Sequence, residues 1–150
     1  MGTHYSGSRK TTEALNSYIK LIRSAESLSS KINLELNELG LTESQFGVLD
    51  ALFHLGPMKQ KDLGKKLLKS EGNITMVINN LEKHGMVQRK KGEEDKRQFI
   101  INLTSTGKKT IQDLLPAITK KIKKHFDLLA KDEQKELQRL CKIVGLQIRS

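Results

Sequence analysis

Between Thr42 and Leu103 the apolar residues keep a helical spacing through three stretches and then change to alternation. Thr42 stands three residues before Gln45, a capping-box pattern. Phe46, Val48, Leu49, Leu52 and Phe53 then mark a helix from Glu43 to Leu55, stopped by Gly56-Pro57. Leu63, Leu67 and Leu68 share a face of a shorter helix between Lys59 and Leu68. After Lys69-Ser70 a further helix runs to His84, with Ile74, Val77, Ile78 and Leu81 inward and Gly85 as its stop. Met86 to Lys91 and Arg97 to Leu103 bracket the polar loop Gly92 to Lys96. In the second arm Phe99, Ile101 and Leu103 alternate with polar neighbours apart from Ile100, so the pair reads as a β-hairpin with a charged tip.

Long helices flank this segment. From Thr11 to Leu39, apolar residues recur at Leu15, Ile19, Ile22, Ala25, Ile32, Leu36 and Leu39 with no proline or internal glycine, and Gly40 ends the run. Thr104 can cap a helix through Ile111, Leu114, Leu115, Ile118, Ile122, Phe126 and Leu129, which Pro116 is expected to bend. A last helix opens near Asp132-Glu133 and carries Leu137, Leu140, Cys141, Val144 and Ile148 on one side. Residues 1–10 are expected to be disordered.

Helix, helix, tight turn, helix and a two-stranded hairpin is the order of a winged helix-turn-helix. In that arrangement the later helix enters the DNA major groove and the hairpin, or wing, reaches the neighbouring backbone or minor groove. The expected fold is mainly α: a winged helix-turn-helix lobe over 42–104 with a two-stranded β-wing, flanked by long helices over 11–39 and 105–148. At 150 residues the chain is read as one domain, 1–150.

Charge agrees with a polyanionic partner. Lysine and arginine number 27 against 17 acidic residues, a net charge of +10. The excess begins at Met58: residues 1–57 hold five basic and six acidic groups, residues 58–97 eleven and six. With an aromatic share of 4% and no tryptophan, stacking platforms for single-stranded bases are hard to build. The chain lacks an apolar run near the ~20 residues that cross a bilayer, and its start lacks a signal-like apolar stretch, so a cytoplasmic protein without membrane contact is expected.

The helix after Ser70 turns Ser70, Asn73, Thr75, Met76, Asn79 and Asn80 away from its apolar stripe. These are mostly short hydrogen-bonding groups suited to base edges and phosphates. Ser70 is equally placed to cap the helix, beside free first-turn amides that suit a phosphate. Asp95 and Arg97 stand two apart; on an extended strand they share a face, and the carboxylate can aim the guanidinium into a narrow minor groove. Lys59, Lys61, Arg89 and Lys96 complete the residues expected to touch DNA.

The run Asp95-Lys96-Arg97, followed by Leu103-Thr104 and Gly107, resembles the wing signature of the MarR family, the multiple-antibiotic-resistance type of transcriptional regulator. Upstream, the segment Asn79 to Arg89 is similar to that family's passage from recognition helix into wing. The resemblance implies a winged-helix homodimer joined through its terminal helices, with strands only in the wing. It puts Arg97 in the minor groove and Asn73, Thr75 and Asn79 on recognition-helix positions. It also implies a pocket between dimer helices and lobe that often accepts phenolic or other aromatic effectors. Lys59 departs from the serine or threonine frequent at that position, and lysine cannot cap a helix.

Relatives that sense oxidants carry a cysteine in the first long helix, and residues 11–39 have none. The single thiol, Cys141, is expected to pack as a small buried hydrophobe, an intersubunit disulfide being the other use if two copies meet there. His4, His54, His84 and His125 are scattered without metal-ligand spacing, and no nucleophile–base pair or glycine-rich phosphate loop is present. The function expected is therefore binding without chemistry, metal or cofactor: a sequence-specific double-stranded DNA regulator on a pseudo-palindromic operator, a repressor released by a small ligand or other signal. A basic protein that binds nucleic acid without sequence choice, or a basic structural protein, is the alternative.

Overall fold

Capping residues and glycine stops divide the chain much as their spacing suggests. The computed structural model describes residues 2–147, with side chains to residue 145, so Ile148 lies outside the described residues. Its elements are α1 (Arg9–Glu38), α2 (Glu43–Leu55), β1 (Met58–Lys59), α3 (Gln60–Lys66), α4 (Glu71–Lys83), β2 (Val87–Lys91), β3 (Phe99–Leu103), α5 (Ser105–Phe126) and α6 (Lys131–Gln147). They fall into two compact units, the first ending at Leu114 within α5 and the second beginning at Leu115.

Helix α1 opens earlier than its apolar pattern suggests. Ser8 is its N-cap, with Oγ accepting from the Thr11 amide at 3.2 Å, and the Thr3 amide donates to Asn16 Oδ1 at 2.8 Å. Residues 8–10, expected to be disordered, thus cap and begin the helix. Only Ile32 and Leu36 of α1 are buried, while Leu39, expected to close the apolar stripe, is its exposed C-cap. Helix α2 has the full capping box between Thr42 and Gln45 and buries Val48, Leu49, Ala51 and Leu52.

The expected two-stranded wing is a three-stranded antiparallel sheet in the order β1-β3-β2. Met58 and Lys59 pair with Ile101 and Ile100 on the free edge of β3. Gly56, at φ 80° and ψ −170°, makes the sharp exit from α2 that brings these residues alongside. Lys59 is also the N-cap of α3, without a side-chain cap bond; its backbone is held in the sheet instead.

Helix α3 buries Leu63, but Leu68, expected on the same face, is 75% exposed. The helix closes with the Lys69 amide donating to the Gly64 carbonyl at 2.8 Å, and Leu68 takes φ 55°, a left-handed turn that throws its side chain outward. Helix α4 is capped by Ser70, whose Oγ accepts from the Asn73 amide at 3.2 Å, and buries Ile74, Val77, Ile78 and Leu81. Burying each such side chain contributes about 1.5–3 kcal/mol, which fixes the rotation of α4 about its axis.

A latch joins the end of α4 to the start of α5. Thr104 Oγ1 donates to the Gly85 carbonyl at 2.6 Å and accepts from the Gly107 amide at 3.0 Å, and the Thr104 amide donates to the Met86 carbonyl at 3.1 Å. Gly107 is buried against that Met86 carbonyl, where a Cβ would collide with backbone. Leu103-Thr104 and Gly107 are thus a structural device that sets where the wing ends.

In the second unit the helix expected to reach Leu129 stops at Phe126. Gln134 Nε2 donates to the carbonyls of Phe126 and Leu129, and Glu133 Oε2 accepts from the Ala130 amide at 2.7 Å, so the turn before α6 is tied down by α6 itself. Arg139 forms two hydrogen bonds to Glu136, holding that carboxyl below its ordinary pKa. Leu137, Leu140, Ile143 and Val144 are 37–49% exposed on α6. Cys141, expected to be buried among them, is exposed. No described helix is long and apolar enough to cross a membrane.

Candidate nucleic-acid interface

The outward face of α4 carries no charge between Gly72 and Asn80, yet cations border it. Lys59, Lys61 and Lys65 in and before α3, Thr75 of α4 and Arg97 of the wing line a single cleft of about 460 Å³, which the carboxylates of Asp62 and Glu71 share. Ser70 and Asn73 open the helix, both exposed, and Met76 is 63% exposed farther along. Gly72, Thr75, Met76, Asn79, Asn80 and Lys83 surround a shallow depression on this face.

The hydroxyl of Thr75 is already engaged. It donates to the Glu71 carbonyl at 2.7 Å and accepts from Gln60 Nε2 at 3.0 Å. Gln60, which the sequence pattern does not single out, therefore fixes the start of α3 against α4. Its only sequence signal is an amide side chain at the first helical position after Lys59.

Arg89 is held just as closely. Register places Arg89 opposite Ile101 and two residues after buried Val87, on the inward side of the wing. Its side chain is only 18% exposed. One Nη donates to Asn79 Oδ1 at 2.8 Å, the other lies 3.6 Å from Glu82 Oε1, and the guanidinium sits 5.4 Å from the centre of the Phe99 ring. Phe99, which opens the alternating arm of the hairpin, is 37% exposed and serves as the platform for this cation.

At the wing tip Asp95 and Arg97 do not lie on a strand. The segment between β2 and β3 turns there, and Asp95 Oδ1 accepts from the Arg97 amide at 3.0 Å and from Arg97 Nε at 3.3 Å. The pairing foreseen from their spacing is thus present, made by a side-chain-supported turn rather than by a shared strand face. The Arg97 side chain is 92% exposed, and Lys96 beside it is exposed as well. Among the described residues no cluster of histidine, cysteine and carboxylates could hold a metal ion.

Residues 41–99 match the sequence pattern of the MarR family. The uncharacterised HTH-type transcriptional regulator YkoM of Bacillus subtilis is 33% identical over 133 residues, which span 89% of this chain and 86% of that protein. The chain belongs to the MarR family. It is a DNA-binding transcriptional regulator of winged helix-turn-helix type. The crystal structure of AbsC, a MarR-family transcriptional regulator from Streptomyces coelicolor, matches the fold at a TM-score of 0.85 and 23% identity, covering 98% of this chain and 99% of AbsC. The S. aureus MepR–DNA complex matches at a TM-score of 0.74 and 22% identity, covering 86% of this chain and 96% of MepR.

Proposed function

We propose that this MarR-family protein acts as a homodimeric repressor in the cytoplasm, binding a pseudo-palindromic operator and leaving it when a small ligand or other signal is received. Binding and release are the whole of the mechanism, without catalysis. The observation that carries the reading is the uncharged, hydrogen-bonding face of α4 bordered by Lys59, Lys61 and Arg97 around one cleft. Cations of this kind neutralise phosphates and fix register, while short polar side chains between them read bases. The exposed apolar residues of α6 supply a surface for a second copy, and the terminal helices are assigned to that dimer. The full chain then works as one domain per subunit, its two recognition helices about one DNA turn apart.

The test is selection of bound fragments from sheared host genomic DNA by the purified protein at physiological salt, followed by sequencing. Enrichment of a pseudo-palindrome supports the reading. Uniform recovery replaces it with non-specific binding of a basic protein.

A further inference from the structure

The outward face of α4 is divided by its own hydrogen bonds. Toward one side, Thr75 is committed to Glu71 and Gln60, and Asn79 is committed to Arg89. Toward the other, the side chains of Asn73 and Met76 stand exposed without a hydrogen-bond partner among the described residues; only the backbone of Asn73 is bonded, to the cap. Gly72 leaves bare backbone beside Met76, with nothing near the place of a missing Cβ.

A recognition helix meets base edges with its N-terminal half, where Asn73 and Met76 lie. Their chemistry differs. Asparagine offers a donor and an acceptor that match N6 and N7 of adenine, whereas a thioether chain offers only apolar contact, which in the major groove means the C5-methyl of thymine. An exposed methionine among polar neighbours gains nothing from water and gains about one methyl's burial from thymine.

We propose that base choice in each half-site is made by this pair, Met76 selecting a thymine through its methyl group and Asn73 an adenine, while Thr75 and Asn79 serve as scaffold. The inference rests on the reading of α4 as the groove-entering helix.

The experiment selects from random 40-base-pair duplexes with the wild-type chain, Met76→Ala, Asn73→Ala and Asn79→Ala. Recovered duplexes are then remade with deoxyuridine in place of thymidine, which removes only the methyl. The wild type should select a motif with a thymine and an adenine column in each half. Met76→Ala should flatten the thymine column alone, Asn73→Ala the adenine column alone, and Asn79→Ala should weaken recovery without flattening any column. Uracil should weaken wild-type binding about fourfold per half-site, about fifteenfold for two, and leave Met76→Ala unaffected. A Met76→Ala motif identical to the wild type's, or equal uracil losses in both proteins, overturns the assignment while leaving groove recognition by α4 intact. Absence of any motif with the wild type overturns the DNA-reading account itself.

Discussion

Arg89 of β2 donates to Asn79 of α4 at 2.8 Å, and this bond ties the hairpin to the helix proposed to enter the groove. Glu82 and the Phe99 ring flank the same guanidinium, whose Nε is buried without a hydrogen-bond partner among the described residues. Arg89→Lys keeps the charge but cannot span these partners. It is expected to lower operator affinity about tenfold or more, with the slope of log affinity against log salt unchanged. Were Arg89 a phosphate contact, lysine would retain most of the affinity, and Arg89→Ala would make that slope shallower by about 0.9 per subunit, about 1.8 for a dimer. Salt titrations of both variants on a selected duplex separate the two roles.

Arg97 makes the opposite prediction. Its side chain is 92% exposed and aimed by a turn that Asp95 supports, so its ion pair contributes about 0–1 kcal/mol to stability. Arg97→Ala should leave the melting temperature nearly unchanged while weakening operator binding. Asp95→Asn retains an acceptor for the Arg97 amide and should weaken binding less than Asp95→Ala, as measured by fluorescence anisotropy.

Gly107→Ala places a methyl group against the Met86 carbonyl within the Thr104 latch. The neighbour is backbone, which cannot swing away as a side chain can. A loss of about 1–3 kcal/mol is expected in denaturant unfolding, together with faster amide exchange at the α4–β2 junction. A change below about 0.5 kcal/mol would show that the latch opens freely.

The apolar side of α6 predicts the assembly state. Leu140→Asp should convert a dimer to monomers in analytical ultracentrifugation and reduce operator affinity by orders of magnitude. The exposed thiol of Cys141 reports on the same surface. Its reaction with a thiol reagent should slow as wild-type concentration rises and stay fast at every concentration in Leu140→Asp.

What could be read in the sequence was local. The capping box at Thr42, the Ser70 cap and the buried stripe of α4 follow from spacing within a turn or two, and the structure has them. The third strand was hidden because Met58 and Lys59 make too short a run to alternate and acquire their conformation by pairing with β3. Leu68 was misplaced because an apolar pattern does not show where a left-handed residue ends a helix. Thr75 and Asn79 looked like free polar groups because their partners, Gln60 and Arg89, are fifteen and ten residues away. Alternation from Val87 through Arg89 was the one available hint that this arginine faces inward.

The measurement that tests the account most directly is the ratio of affinities for a genomically selected fragment and a scrambled duplex of equal length, at physiological salt. A regulator that reads bases with α4 should prefer the selected fragment by about a thousandfold or more. A ratio near one, with a steep salt dependence on both duplexes, would show that the positive charge alone does the binding and would contradict sequence-specific recognition.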